Sequence, residues 1–304
     1  MRAARRIDYI DRAKQKLATA KEESPSLISQ LWRGQILVPW YNLSEEQRFT
    51  VGVIALCTAI WVMWQAPGTK RLMMRSFAHD PLSGKRYTML TSTFSHESAT
   101  HILMNGMVFL SFAAPVAAAL AAEDLTRTEQ SGRGTVTSKY ELGAFIVAAG
   151  LASALVSHVW STRVILPRAV KALNERAPSL GSAAAARSAV ESTAIRPSLG
   201  LSGSLYAMVV YQAMTTPETE VSVILLPFFS FPIGVGVFGM AILDVVGLFR
   251  GWKLFDHAAH LGGAAFGAIW YYYGGATWAS MRGLFRKDRD VGVAMPPHNP
   301  YSRT

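Results

Sequence analysis

Apolar residues gather in blocks along this chain, and polar stretches part the blocks. A helix needs about 20 mostly apolar residues to span a bilayer. Six blocks approach that length, at roughly 49–65, 101–122, 140–160, 199–216, 233–250 and 257–274. The pattern predicts an all-α polytopic membrane protein, a bundle of six transmembrane helices. A typical divider is "EDLTRTEQSGRGTVTSK" at 123–139. The fifth block is the least cleanly bounded. The stretch ahead of it, "VSVILLPFFSF" at 221–231, is also apolar, and Pro227 and Pro232 break it. That stretch is expected to be a loop or a re-entrant, strand-like piece dipping into the membrane, which is tolerated only where protein or water covers the backbone. Residues 161–198 form a long connection, and "VKALNERAPSLGSAAAARSAV" within it predicts a surface helix without spanning length. The chain thus divides into a polar, amphipathic N-terminal segment (1–48), a six-helix domain (49–275) and a basic C-terminal tail (276–304).

With six spans, spans two, four and six enter the membrane from the same face. His101 and Asn105 stand at the start of span two, Ser202 at the start of span four and His260 near the start of span six. Four hydrogen-bonding side chains from three distant stretches are therefore expected at similar shallow depth on one side. Polar side chains inside spans are expensive and by default mark function.

Composition supports the membrane reading. Half of the 304 residues are hydrophobic and 16% are charged, against about 25% charged in soluble domains. The net charge of +10 raises the question of nucleic acid. The basic residues, however, lie between the apolar blocks with no aromatic interleaving or binding motif. They read as juxtamembrane charge facing anionic lipid, and no nucleic-acid partner is expected. Lys and Arg number 17 on one set of loops and termini and 13 on the other, too even a split to orient the chain. A single cysteine, Cys57, excludes an intramolecular disulfide and a cysteine-based zinc site. The start, "MRAARRIDYIDRAKQKLATAKEE", lacks an apolar core and is not a secretory signal. Its arginines resemble a mitochondrial presequence, but Asp8 and Asp11 favour an amphipathic helix on the membrane surface.

The chemistry follows from residue type. A serine hydroxyl becomes a nucleophile when a base takes its proton, and histidine is the usual base. Acyl transfer also needs donors aimed at the developing oxyanion. The backbone N–H of Ser202, at a helix N-terminus, lacks an intrahelical acceptor. His101 and Asn105 are four residues apart, on one helical face, and can add side-chain donors. Gly200 and Gly203 leave room for a substrate backbone. Below His260, Gly263 and Gly267 lie at i+3 and i+7 in a G-x-x-x-G pattern that lets membrane helices pack backbone to backbone. Span six is thereby expected to press on span four.

Alternatives stand beside these readings. Ser202 also suits a plain helix start, where serine caps amides. His257 is a rival base, and Asp256 is placed to orient either histidine. His96 is read as an anchor of the first loop or a lining of the water entrance. Asp244, an acid within span five, is either a third catalytic member or a hydrogen-bonding partner of nearby backbone and helix ends, the second being favoured. Tyr206 either packs on His260 and holds its ring or is ordinary core. "GLSGS" is not the G-x-S-x-G elbow, since position 204 is serine. "HESATH" at 96–101 has one residue too many for H-E-x-x-H, so no metal or cofactor is expected.

Taken together, "GLSG", "HILMN" and "HLGGAAFG" resemble the G-x-S-G, H-x-x-x-N and H-x-x-G-x-x-x-G motifs of the rhomboid intramembrane serine proteases. "NLSEEQR", "LTSTFSH", "ILLPFFSF" and "GWKLFDHAAHLGGAAFG" resemble the mitochondrial inner-membrane, presenilin-associated rhomboid-like branch. The likeness runs from about 40 to 275, interrupted at 161–196. It implies a rhomboid-like six-helix fold, Ser202 as nucleophile with His260 as base in a dyad, and an oxyanion hole of His101, Asn105 and the Ser202 amide. It also implies single-span membrane proteins as substrates, cut within or next to their transmembrane helix. By the same resemblance, mitochondrial dynamin-like GTPases, cytochrome c peroxidase precursors or imported kinases are candidate substrates. Where many rhomboids carry Trp-Arg in the first loop, this chain has Tyr87-Thr88. Mitochondrial members often have a further span ahead of the six. Residues 1–48 contain none, so a start downstream of a presequence and anchor, or a six-span variant, is expected. Two other classes fit the sequence less well. An inactive rhomboid-like scaffold for membrane clients usually lacks the serine or the histidine, and both are present here. A transporter would want an internal repeat, and none relates 49–160 to 199–274.

Overall fold

The computed structural model describes residue 40 and residues 42–131, 138–176, 195–223, 226–252 and 255–285. Helix α1 spans Glu45–Gln65. It opens on a capping box, in which Ser44 Oγ accepts from the Gln47 N–H at 3.1 Å and Gln47 Oε1 accepts from the Ser44 N–H at 2.8 Å. Short helices α2 (Lys70–Ser76) and α3 (Thr88–Thr93) build the first loop. Helix α4 (Ala99–Ser131) follows, then α5 (Ser138–Trp160). A π turn at Ser161–Ile165 carries α5 directly into α6 (Leu166–Arg176). Residues 161–176 are therefore a continuation of the third span, not the start of the long connection. The rest of the predicted surface helix, 177–190, lies outside the described residues.

Next comes α7 (Ser202–Thr215). An antiparallel hairpin of β1 (Glu220–Val223) and β2 (Leu226–Pro232) follows, in the register Glu220↔Pro232, Val221↔Phe231 and Ser222↔Ser230. The apolar piece ahead of span five is thus strand, as one of its two expected forms. Helix α8 (Ile233–Arg250) ends on Gly251, whose φ of 68° is left-handed. Helix α9 (His257–Phe285) closes the fold and runs ten residues into the stretch read as tail.

Among the described residues, four helices are long and apolar enough to cross a membrane by length and composition: Glu45–Gln65, Ala99–Asp124, Lys139–Glu175 and Ile233–Arg250. The remaining two of the six predicted spans differ for physical reasons. Helix α7 has 14 residues, about 21 Å at 1.5 Å per residue, against a hydrocarbon core of about 30 Å. It lies inside the bundle, with Gly203–Leu205 and Ala207–Gln212 all buried. A helix wrapped by protein need not match the lipid. Helix α9 is long enough, but glycine, alanine and tyrosine replace the branched aliphatics because it packs face-on against α7. A Cβ on Gly263 would stand 2.0 Å from the Gly203 carbonyl oxygen, and one on Gly267 would stand 2.3 Å from that of Ala207. The two backbones touch, as the G-x-x-x-G phase predicts. On its other side Gly203 admits Ser153 of α5, whose Oγ would lie 1.8 Å from an added Cβ.

The core joins α4 (Phe109, Val116, Leu120), α5 (Phe145, Ile146) and α7 (Leu205, Met208, Tyr211), with Trp270 of α9 at its edge. Outward-facing apolar side chains such as Leu56, Leu110, Leu155 and Phe249 give the bundle a lipid-compatible surface. Helix α8 is the least embedded span; its buried residues are Ile233, Asp244 and Gly247.

Candidate active site

Ser202 begins α7, and the segment before it is clamped to the first loop. The His79 N–H donates to the Ser198 carbonyl at 2.8 Å, and the Ser198 N–H returns to His79 at 2.9 Å. The Gly200 N–H donates to the Ser92 carbonyl at 2.9 Å. The first loop is itself fixed to α1, where Trp64 Nε1 donates to Ser95 Oγ at 2.8 Å. Gly200 has φ +123°, a conformation L side chains rarely adopt. There is also no room for one: an added Cβ would meet His101 Cε1 at 2.6 Å and Nε2 at 2.8 Å, with Asn105 Nδ2 at 3.6 Å. His101 and Asn105 thus close on the backbone two residues ahead of Ser202.

On the other side, Ser202 Oγ donates to His260 Nε2 at 3.0 Å. His260 Nδ1 donates to Asp244 Oδ1 at 3.2 Å, and His257 Nδ1 donates to the same oxygen at 2.6 Å. Asp244 is fully buried. Its carboxylate is spent on two imidazoles of the neighbouring helix, not on backbone or helix ends as the sequence favoured. A buried anion needs such partners. The tautomers follow from the network: both histidines carry their proton on Nδ1, which leaves His260 Nε2 as an acceptor for the serine. Tyr206 stacks on His260 with ring centroids 4.2 Å apart at 15°, the first of its two expected roles. Asp256 orients neither histidine. Its Oδ1 accepts from the Ala259 N–H at 3.0 Å, capping α9, and its Oδ2 accepts from Ser157 Oγ at 2.6 Å.

His96 is more than a loop anchor. Its Nε2 accepts from Asn105 Nδ2 at 2.8 Å and, more weakly, from the Leu201 N–H at 3.4 Å. Since a backbone N–H can only donate, that nitrogen bears the lone pair, and the Asn105 group facing it is its NH₂. The second amide hydrogen of Asn105 remains to be aimed elsewhere. Burial, and then the nearby His101 ring, push the His96 pKa down to about 3, so it stays neutral and keeps its acceptor. His79, also in the first loop, is held below the ordinary histidine value by burial and then by His158; its ring bonds Thr88 Oγ1 at 2.8 Å and His158 at 3.1 Å. Buried Thr88 stands in the Tyr87-Thr88 pair that replaces Trp-Arg. The spacing of His96, five before His101, gave no hint of its bond to Asn105; the one sequence signal for Asp244 was an acid in an apolar span.

The arrangement joins an accessible hydroxyl, a base held from behind by a carboxylate, and side-chain donors beside a helix N-terminus. Comparison with known proteins shows the family. A family model described as the Rhomboid domain matches residues 83–277. The presenilin-associated rhomboid-like protein A, mitochondrial, of Danio rerio is 32% identical over 233 residues, 76% of this chain and 49% of that protein. The corresponding Homo sapiens protein is 32% identical over 241 residues, 79% of this chain and 52% of that protein. Rhomboid protein 1, mitochondrial, of Saccharomyces cerevisiae is 23% identical over 237 residues, 77% of this chain and 55% of that protein. The chain spans about half the length of these curated relatives. Motifs, helical architecture and these likenesses agree: the chain belongs to the mitochondrial branch of the rhomboid family and is a multi-pass mitochondrial membrane protein.

Proposed function

We propose that this protein is an intramembrane serine endopeptidase of the mitochondrial inner membrane. The observation that carries the reading is the bond from Ser202 Oγ to His260 Nε2, with Asp244 behind the imidazole. Ser202 Oγ attacks the scissile carbonyl carbon while its proton passes to His260 Nε2. Charge collects on the carbonyl oxygen, where the Ser202 N–H, His101 and the free Asn105 amide hydrogen stabilise it. Asp244 stabilises the imidazolium. The intermediate collapses, the C–N bond breaks, and His260 gives its proton to the departing amine. Water, with His260 again as base, then hydrolyses the acyl-enzyme and regenerates Ser202.

The substrate class follows from the setting. In this reading the start of the short α7 places the partly exposed Ser202 at shallow depth, within reach of water. A membrane helix must unwind locally to present its carbonyl there, so spans weakened by Gly, Pro or polar residues are favoured. Single-span mitochondrial membrane proteins fit that description. The test is cleavage of such a substrate in proteoliposomes, together with labelling by a fluorophosphonate. Wild type is expected to cleave and label; Ser202→Ala and His260→Ala are expected to do neither while remaining folded. Full cleavage by either variant overturns the assignment, and a wild type inert to the probe favours a scaffold.

A further inference from the structure

Two histidines share Asp244, and the one that does not touch Ser202 holds it more tightly. His257 Nδ1 reaches Asp244 Oδ1 at 2.6 Å, His260 Nδ1 at 3.2 Å. Without His257 the buried carboxylate would keep the long His260 bond and the neighbouring Tyr206 hydroxyl. The shorter bond, from a different direction, is the one that fixes its orientation.

The His257 ring is itself locked. It is 4% exposed, with Trp252 and Phe255 around it at ring separations of 6.3 and 6.2 Å. On α8, the ring occupies the space left open by Gly247, where an added Cβ would stand 2.4 Å from both Cε1 and Nε2. Two of the three buried residues of α8, Asp244 and Gly247, thus face this one ring. Helix α8 has one further buried residue, Ile233 at its start, so the His257 ring is its main buried contact beside α9. Its Nε2 has no hydrogen-bond partner among the described residues, so its polar function is vested in Nδ1.

We propose that His257 is a positioning residue: it fixes the Asp244 carboxylate, and with it α8, so that Oδ1 meets His260 Nδ1 and His260 presents Nε2 to Ser202. This rests on the protease reading above and names a residue on which that chemistry depends without touching substrate. It also predicts a stereochemical signature. An asparagine at 257 places its Nδ2 where the imidazole has Nδ1, and a glutamine places its Nε2 where the imidazole has Nε2. Only the first can donate to Asp244.

The experiment uses the full chain in proteoliposomes with a single-span substrate, and compares wild type, His257→Ala, His257→Asn and His257→Gln, with Ser202→Ala as the blank. His257→Ala is expected to lose about ten- to a hundredfold in kcat, the usual scale for removing a partner that orients a working group, with KM unchanged. His257→Asn is expected to recover most of the loss and His257→Gln little of it, and fluorophosphonate labelling rates should follow the same order. Equal rates in all four active-site-intact proteins overturn the proposal, as does rescue by glutamine but not asparagine. Failure of all three variants to fold also overturns it, by making His257 a structural residue. If wild type is no faster than Ser202→Ala, the protease reading itself has failed, a result distinct from all of these.

Discussion

Replacing Asp244 by asparagine tests what the carboxylate contributes, and the structure sets the size of the effect. In the Ser-His-Asp template, asparagine in place of the aspartate imposes the wrong tautomer on the imidazole and costs about 10⁴ in kcat. Here the geometry opposes that outcome. One oxygen, Oδ1, accepts from two Nδ1–H groups, so an NH₂ in its place would face two donors. The other oxygen, Oδ2, has no hydrogen-bonded partner among the described residues. The Tyr206 hydroxyl lies near enough to interact with the carboxylate and, as a rotor, can accept from an NH₂. The asparagine should therefore keep its carbonyl oxygen on the histidines, and the tautomer should survive.

What remains is the loss of charge. Exchanging a hydrogen bond to an ion for a neutral one forfeits about 1–1.5 kcal/mol, or tenfold in rate. The full Coulomb attraction of a carboxylate for an imidazolium about 4 Å away is about 4 kcal/mol at an effective dielectric constant of 20, or a thousandfold. Asp244→Asn should accordingly lower kcat by about ten- to a thousandfold, with KM and melting temperature close to wild type. Single-turnover cleavage in proteoliposomes, with circular dichroism for the fold, measures both. Wild-type kcat would show that the charge does nothing for the imidazolium. A loss of 10⁴ or more would show that the amide turns despite the second histidine. Asp244→Ala is the contrast, since it strands two buried donors at about 1–3 kcal/mol each and should be visibly less stable.

Three further outcomes follow from named contacts. Gly263→Ala forces a methyl into the Gly203 carbonyl; overpacking of this kind costs about 1–3 kcal/mol, and by parting α9 from α7 it should depress cleavage more than stability, read by paired kinetics and thermal melts. Asn105→Ala should slow cleavage by about 10²–10³-fold as the loss of one oxyanion donor, measured as kcat, and His96→Ala should share part of that loss because it frees the Asn105 amide to rotate. Acid should weaken the fold through the first loop. The His96 pKa is depressed to about 3 in the fold and is about 6.5 unfolded, so its contribution is whole above pH 6.5 and is lost as pH falls toward 3, His79 acting with the same sign. At pH 5 the His96 share is about 2 kcal/mol by linkage, and His96→Asn should flatten the fall in melting temperature between pH 7.5 and pH 5.

The site was legible in the sequence to the extent that it depends on helix phase, and hidden to the extent that it depends on which helices face each other. His101 and Asn105, four apart, and His260 with Gly263 and Gly267, at i+3 and i+7, declare a shared face on their own helix. Parity then puts the three helix starts on one side of the membrane. The Ser202–His260 contact needs only that much, together with small residues to bring two backbones close. Asp244 escapes this logic, because a lone acid in an apolar span announces a partner without saying where it is. Two neighbouring helices and several loop ends were equally available, and periodicity along α8 does not choose among them. Gly247, one turn on, was the overlooked sign: a glycine on the acid's own face marks the space that the His257 ring fills. The predicted span 199–216 exceeds the 14 residues of α7 for a related cause. Apolar residues run on to Met214 because the helix is buried, and burial in protein and immersion in lipid write the same letters. Only the small size of its neighbours on α9 betrays that protein, not lipid, surrounds it. The same close packing of α7 against α9 brings the hydroxyl at its start to His260 Nε2.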